Sequence, residues 1–296
     1  MGKLPISVII LTYNEELNIE KCLKNISGFA GEISIVDSYS TDRTLEIAEK
    51  YGAQVVQHPF ENQAQQFNWA LDNLEMKNEW ILRLDADEYL TEELKKEIAD
   101  VLLNMGTSDV PKIDGNARTS DVQNINGFYI KRRVYFMNRW IKHGGYYPIW
   151  LLRLFRKNRG RSEDREMDEH IILLEGRAEK LQNDFIDDNK KNLEFWIDKH
   201  NKFSSREVKE VLKSKKDARL KGGLTGGPVS RRRWIKEKLY NLPPFFRVFI
   251  YFIYRYFLRL GFLDGKEGLI FHFLQGFWYR FLVDSKLYEI KKNLKS

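Results

Sequence analysis

The run Ile81-Leu82-Arg83-Leu84-Asp85-Ala86-Asp87-Glu88 ends an apolar stretch in three carboxylates within four residues. A strand that stops in an Asp-x-Asp pair puts two carboxylates at a sheet edge. There they can hold a hard divalent cation, Mg²⁺ or Mn²⁺, shared with substrate phosphates. The competing reading is an acidic turn into a helix at residues 91–103, with carboxylates favourably placed near a helix N-terminus. Two more apolar runs end in polar residues: Leu11-Thr12-Tyr13-Asn14-Glu15 and Val36-Asp37-Ser38-Tyr39-Ser40-Thr41-Asp42. A carboxylate at such an edge can accept hydrogen bonds from a ribose or a base. Neither G-x-G-x-x-G nor G-x-x-x-x-G-K-[ST] occurs, so a glycine cradle for pyrophosphate is missing. A metal on Asp87 would meet the phosphate charge instead.

The elements that must position these residues alternate. Residues 6–11, 32–36, 53–57 and 80–84 read as strands. Residues 16–26, 44–51 and 62–74 read as the helices between them. This alternation predicts βαβ units, hence an α/β domain with a mainly parallel sheet flanked by helices. Ligands of such sheets bind beyond the carboxyl ends of the strands, where all three polar stretches lie. Residues 107–126 are polar and rich in Gly, Asn and Asp, which predicts a flexible loop. Residues 127–135, 150–156 and 169–174 read as further strands, and 189–213 as a helix. Domain limits follow at 1–220 for the catalytic part, 221–230 for a glycine-rich hinge and 231–296 for a helical appendage.

The motifs together resemble the family 2 glycosyltransferases of GT-A fold. Those that carry the resemblance are residues 8–15, residues 35–44 and Leu84-Asp85-Ala86-Asp87-Glu88, in that order. Within the family the chain looks most like bacterial enzymes that add sugars to lipopolysaccharide core or another surface glycan. Residues 64–70, 148–156 and 168–170 have counterparts there. The resemblance implies that Thr12, Asn14 and Glu15 line a nucleotide pocket and that Asp37 meets the uracil or ribose of a UDP-sugar. Gln66 or Asn68 would reach the diphosphate or sugar. Asp85 would contact ribose or donor sugar, and Asp87 would bind the metal. Such enzymes invert the anomeric centre, so a carboxylate must deprotonate the acceptor hydroxyl. Glu169 and Asp168 are the candidates the subgroup pattern favours, with Asp164 a third; a solvated charged loop is the bland reading of residues 163–169. Arg153 and Arg156 could neutralise phosphate or form ion pairs. His143 and His170 lack metal-ligand spacing, and no role is evident for Glu88.

The chain has 296 residues, is 43% hydrophobic and carries a net charge of +7. That length and content allow a substantial core. Its lone cysteine, Cys22, reads as a small core residue, and the N-terminal residues show no secretory signal. Residues 231–296 hold 14 Lys and Arg against 5 Asp and Glu, so the positive surplus sits at one end. The same segment is strongly aromatic. Its longest uncharged stretch near residue 250 is far short of the ~20 apolar residues a spanning helix needs. At roughly 100° per residue, Arg247, Arg255 and Arg259 share one helical face. This predicts a helix lying in a membrane interface with those arginines toward headgroups. Trp234, Tyr240, Trp278 and Tyr279 would form an aromatic belt, and residues 231–233 would meet anionic lipid. A re-entrant hairpin turning at residues 261–268 is a variant. Packing on the catalytic part, or a homo-oligomer interface, is the soluble alternative. The apolar density excludes a solvated nucleic-acid-binding tail.

The expected protein is therefore a metal-dependent transferase, peripheral on the cytoplasmic face of the cell membrane. Its partners would be a nucleotide-sugar and a glycolipid or lipid-linked glycan acceptor. A nucleotidyltransferase is the enzymatic rival and a decayed membrane-bound scaffold the non-enzymatic one.

Overall fold

A computed structural model describes residues 2–105, 124–163, 170–214 and 242–294. They fall into two compact units. One comprises the described residues of Met1–Tyr135, Pro148–Asp164 and Glu169–Lys190; the other those of Phe136–Tyr147 and Lys191–Ser296.

The first unit is built on β1 (Leu4–Thr12), α1 (Ile19–Ile26), β2 (Ala30–Asp37), α2 (Thr44–Lys50), β3 (Gln54–Gln57), α3 (Gln63–Asn73) and β4 (Trp80–Asp85). A short β5 (Glu88–Leu90) and α4 (Glu92–Asn104) come next, then β6 (Ile125–Phe136). β7 (Arg139–Trp140) falls in the second unit. The chain returns to the first unit in β8 (Ile149–Arg156), β9 (Gly160–Ser162), β10 (Ile171–Leu173) and β11 (Arg177–Asp187). The main sheet runs β3-β2-β1-β4-β8-β6-β11-β5. Strands β3, β2, β1 and β4 are mutually parallel, while β8 is antiparallel to both β4 and β6.

Successive residues of a strand face opposite sides, and both sides here are covered. Val8, Ile10, Leu82 and Leu84 pack on one face with Leu23 of α1 and Leu94 and Ile98 of α4. Ile9, Val36 and Ile81 pack on the other with Phe67 and Ala70 of α3 and Phe155 of β8. This is why β1 and β4 read as mainly apolar runs, whereas β3 at the sheet edge is Gln-Val-Val-Gln with its valines only half-buried. Helix α3 is capped by Asn62, whose side chain accepts from Gln65 N at 2.9 Å, and α4 by Thr91, which accepts from Leu94 N at 3.2 Å. Cys22 is buried in the core, as its surroundings in α1 predict.

Two strands depart from the expected pattern. β5 is only three residues long, too short to show a period. β11 reads Arg-Ala-Glu-Lys-Leu-Gln-Asn-Asp-Phe-Ile-Asp, and only Leu181, Asp184 and Phe185 of it are buried. It is held as a strand by parallel pairing to β6 and antiparallel pairing to β5. The loop expected over 107–126 ends earlier than that: Ile125 already belongs to β6, and residues 106–123 lie outside the described residues. The glycine-rich hinge at 221–230 and the arginines at 231–233 also lie outside them.

The second unit is helical. Helix Leu193–Ser214 packs through Val208 and Val211 on Tyr279, Val283 and Leu287 of helix Tyr279–Asn293. It therefore groups with the C-terminal helices, and the compact units divide near residue 190. Helix Phe246–Ile253 continues through a π-helical turn, Tyr254–Leu258, and the chain turns back into helix Gly265–His272. Of its three arginines, Arg259 is exposed as expected, but the orientation of the other two is reversed. Arg247 is buried and bonds Asp284, with Nε 3.0 Å from Oδ2. Arg255 is buried and donates from Nε to the Gly144 carbonyl at 2.7 Å and from Nη1 to Tyr251 Oη at 3.1 Å. A helical wheel identifies two faces but not which one turns inward; Asp284, thirty-seven residues away, decides it. No helix among the described residues is long and apolar enough to cross a membrane.

Candidate active site

Sheet register brings the three polar strand ends together. Thr12 at the end of β1 stands beside Asp37 at the end of β2, and Leu11 stands beside Asp85 at the end of β4. Asp37 is fully buried and its carboxylate organises the loops around it. It accepts from Thr12 Oγ1 at 2.8 Å, from Ser40 N at 2.8 Å and from Gln57 Nε2 at 3.4 Å. Ser40 Oγ in turn accepts from Asn14 N at 2.8 Å, and Asn14 Oδ1 accepts from Thr41 N at 2.8 Å. Asn14 has φ of 54° and Tyr39 of 60°. Asn tolerates this left-handed region well because its short side chain bonds locally; Tyr39 is held there by its bonded neighbour Ser40. Glu15 is bound into the same corner: its N–H donates to Thr44 Oγ1 at 2.7 Å and its carboxylate accepts from Asn18 Nδ2 at 2.7 Å. The aromatic rings in these loops stay open to solvent, Tyr13 at 58% and Tyr39 at 53% exposure.

The acidic triplet is a two-residue turn, Ala86-Asp87, between β4 and β5. Asp85 and Asp87 are half-buried, whereas Glu88 is buried. Glu88 accepts from Asp85 N at 2.8 Å and from Arg153 Nη2 at 2.6 Å. It ties the turn to β8, which answers what this third carboxylate does. Burial pushes the Glu88 carboxyl up to about 8, and Arg153 opposes that rise. Both of its hydrogen bonds are accepted ones, which favours the ionised form. Arg153 Nη2 also lies 3.5 Å from Asp85 Oδ2, and Arg83 Nε lies 3.8 Å from Asp85 Oδ1. Asp85 thus stands between two buried guanidinium groups. Asp87 is fixed from the far end of β11: Asn189 Nδ2 donates to its Oδ2 at 2.7 Å, and Asp188 N donates to its carbonyl at 3.0 Å. Lys21 and Lys190 hold Asp188 at 3.0 and 2.8 Å.

Gln66 and Asn68 are both bonded to the backbone of neighbouring loops. Gln66 is buried; its Nε2 donates to Ser38 Oγ and to the His58 carbonyl, both at 3.2 Å, and its Oε1 faces His58 Nδ1 at 2.8 Å. Asn68 exchanges two bonds with the backbone of Ser162, at 2.9 and 3.0 Å. Both amides therefore brace the loops beside the site. Arg156 pairs with Glu79 and lies over the Trp80 ring. His143 is held by Asp264 at 2.6 Å within the second unit. Asp164, Asp168 and Glu169 lie outside the described residues. The structuring roles of Arg83 and Asn189 went unread in the sequence, whereas Arg153 forms an ion pair, one of the two roles expected of it. An arginine inside an apolar strand, as in Leu82-Arg83-Leu84, was the available signal for the first.

The carboxylates of Asp85 and Asp87 are hard oxygen donors on one turn, a set suited to Mg²⁺ or Mn²⁺. Among the described residues no group of three His, Cys, Asp or Glu is placed to hold a metal. A cation shared with substrate phosphates needs only one or two protein carboxylates.

With this geometry in view, the profile of Glycosyl transferase family 2 matches residues 7–159, about half the chain. The chain belongs to glycosyl transferase family 2. A lipopolysaccharide core biosynthesis glycosyltransferase, LpsC of Rhizobium meliloti, is 27% identical over 97% of this chain and 93% of its own. An uncharacterized glycosyltransferase of Rickettsia bellii is 44% identical over 93 residues, 31% of either chain. The aligned part thus spans about a third of that relative. Among solved structures, a mannosyltransferase of Pyrobaculum calidifontis in complex with GDP-Man and Mn²⁺ superposes with a TM-score of 0.52 at 15% identity. The alignment covers 97% of this chain and 88% of that one, so this family 2 chain has the GT-A fold.

Proposed function

We propose that this protein transfers a sugar, with inversion, from a nucleotide-sugar to a hydroxyl of a membrane-associated glycan or glycolipid in cell-envelope biosynthesis. The observation that carries the reading is the register of β2, β1 and β4, which lines up Thr12, Asp37 and Asp85 beside the Asp87 turn. Loops after β1 and β2 receive the nucleoside, with Tyr13 and Tyr39 offering open rings for the base. UDP is the nucleotide the motifs favour. Asp85 orients the donor, and Asp87, with Asp85 beside it, would hold Mg²⁺ or Mn²⁺, which would supply positive charge to the departing diphosphate. A carboxylate among Asp164, Asp168 and Glu169, Glu169 foremost, takes the proton of the acceptor hydroxyl. The acceptor oxygen bonds to the anomeric carbon from the face opposite the diphosphate. The old C–O bond breaks and its electron pair leaves with the nucleoside diphosphate. The likeness to LpsC supports a lipopolysaccharide-type acceptor, and hence work at the cytoplasmic face of the cell membrane.

The test is a panel of nucleotide-sugars assayed for slow hydrolysis with Mn²⁺ or Mg²⁺. At least one donor is expected to turn over only with metal, and Asp87→Ala should lower that rate by about 10²-fold or more while the fold is kept. Full activity of Asp87→Ala in the presence of a chelator refutes the assignment.

A further inference from the structure

The second unit is built inside out in its C-terminal hairpin. Arg247, Arg255, Asp264 and Asp284 are buried, while large apolar side chains face outward. On the first arm, Phe246, Phe249, Ile250, Ile253 and Phe257 are exposed. Their spacing of three, four and seven residues sets them on one helical face. On the returning arm, Leu269, Ile270, Phe273 and Phe281 are exposed. The two arms join through their rings: Phe249 meets Phe277 edge to face at 4.9 Å, and Phe245 meets Phe281 in a tilted pair at 5.1 Å between ring centroids. One continuous apolar surface covers both arms. Leu258, at 72% exposure, stands at its most open point. Soluble monomers rarely leave an apolar surface of this extent uncovered.

We infer that this surface is seated in the headgroup and upper acyl region of an anionic lipid bilayer. Three observations select lipid as the occupant. The inward charges are paired within the unit: Arg247 with Asp284, and Asp264 with His143 at 2.6 Å. They leave the outer face without the buried partners a specific protein interface would use. The arm is too short to span, since helix and π turn together run from Phe246 to Leu258, whereas a spanning helix needs ~20 residues. Lying in the interface at a depth of about 5–10 Å needs no such length. Charge is complementary as well. Residues 231–296 carry 14 Lys and Arg against 5 Asp and Glu, and Arg259 and Lys266 are exposed around the turn of the hairpin. Anionic lipid attracts that surplus, whereas a second copy of the chain would repel it. The contact is made by aromatic and aliphatic side chains, with Arg247 and Arg255 serving as internal struts.

The inference does not rest on sugar transfer and is read without it. The full-length protein is floated with vesicles of phosphatidylcholine alone and of phosphatidylcholine and phosphatidylglycerol in equal parts. Flotation with the mixed vesicles, and less with the neutral ones, is expected. The variant Phe249→Glu/Phe257→Glu/Phe273→Glu should lose about tenfold or more in partitioning for each ring. Leu258→Glu alters the most exposed position, where no packing can be lost, and should reduce flotation by itself. Failure of the unaltered protein to float with either vesicle overturns the inference. So does undiminished flotation of both variants. A dimer that these variants split, with no lipid binding, would assign the surface to a second copy and overturn it as well.

Discussion

Arg153→Met is the substitution with the largest consequence that the structure defines. Glu88 is buried and keeps Arg153 as its cation at 2.6 Å. Removing one partner of a buried pair leaves an uncompensated charge and costs about 3–5 kcal/mol. For a unit near two hundred residues that lowers Tm by roughly 6–20 °C, at 2–4 °C per kcal/mol. The sign of the pH effect is defined too. Burial holds the Glu88 carboxyl above its ordinary value of 4.5, and Arg153 is the influence that pulls it down. Without Arg153 the folded protein binds the Glu88 proton to still higher pH than the parent does. The stability of the variant relative to the parent therefore falls as pH rises through and above about 8, and the deficit is smallest in mild acid. Urea unfolding followed by far-UV circular dichroism, at pH 5.5 and at pH 8.5 as roughly the two limits, reads this difference. The double variant Glu88→Gln/Arg153→Met removes both charges and should recover most of the loss, because neither charge is left alone. A cost below about 1 kcal/mol for Arg153→Met, or a double variant as unstable as the single, would show that the pair does not hold the Asp85 turn in place.

Tyr13→Ala should weaken binding of UDP by about 1–3 kcal/mol if the open ring stacks on the base, measured by isothermal titration with Mn²⁺ present. Unchanged affinity removes Tyr13 from the nucleoside seat. His200 stacks on Trp196 at 3.5 Å, and burial lowers its pKa to about 4 from 6.5. Its folded pKa is depressed, so its contribution is complete above pH 6.5 and is lost as pH falls toward about 4, by up to about 3 kcal/mol. His200→Phe should flatten that part of the stability profile; an identical acid limb in the variant would assign the loss to other groups. Asn68→Ala removes both bonds to Ser162 and should cost about 1–3 kcal/mol in unfolding free energy, without a direct loss of nucleotide binding. A variant of full stability with weakened UDP binding would make Asn68 a ligand contact instead.

The first eighty-five residues were legible because the central strands there are covered on both faces, so burial writes itself as unbroken runs such as Val8-Ile9-Ile10-Leu11. The carboxyl ends of those runs then named Thr12, Asp37 and Asp85 as neighbours. β11 was not legible, since its charged residues are balanced by partners on other strands: Asp184 bonds Arg133 at 2.6 Å and Asp187 lies 3.4 Å from Arg132. Gln66 and Asn68 were read as ligand contacts from their place beside the motifs; their amides brace the backbone of His58 and Ser162. Spacing cannot tell a side chain that touches a ligand from one that holds the loop that does. The arginine face of the C-terminal helix shows the same limit. Its amphipathic pattern was plain, and its direction depended on Asp284.

The hydrogen-bonded ring of Asp37, Ser40, Asn14 and Thr41 bears on how quickly a ligand can be captured. The loops after β1 and β2 are tied to each other before any nucleotide arrives, with Asn14 and Tyr39 already held at positive φ. Their ordering is settled during folding, so a nucleotide bound as proposed would meet loops already tied together. Association should then proceed in a single exponential phase whose rate rises linearly with nucleotide concentration, with no plateau from a slow loop rearrangement.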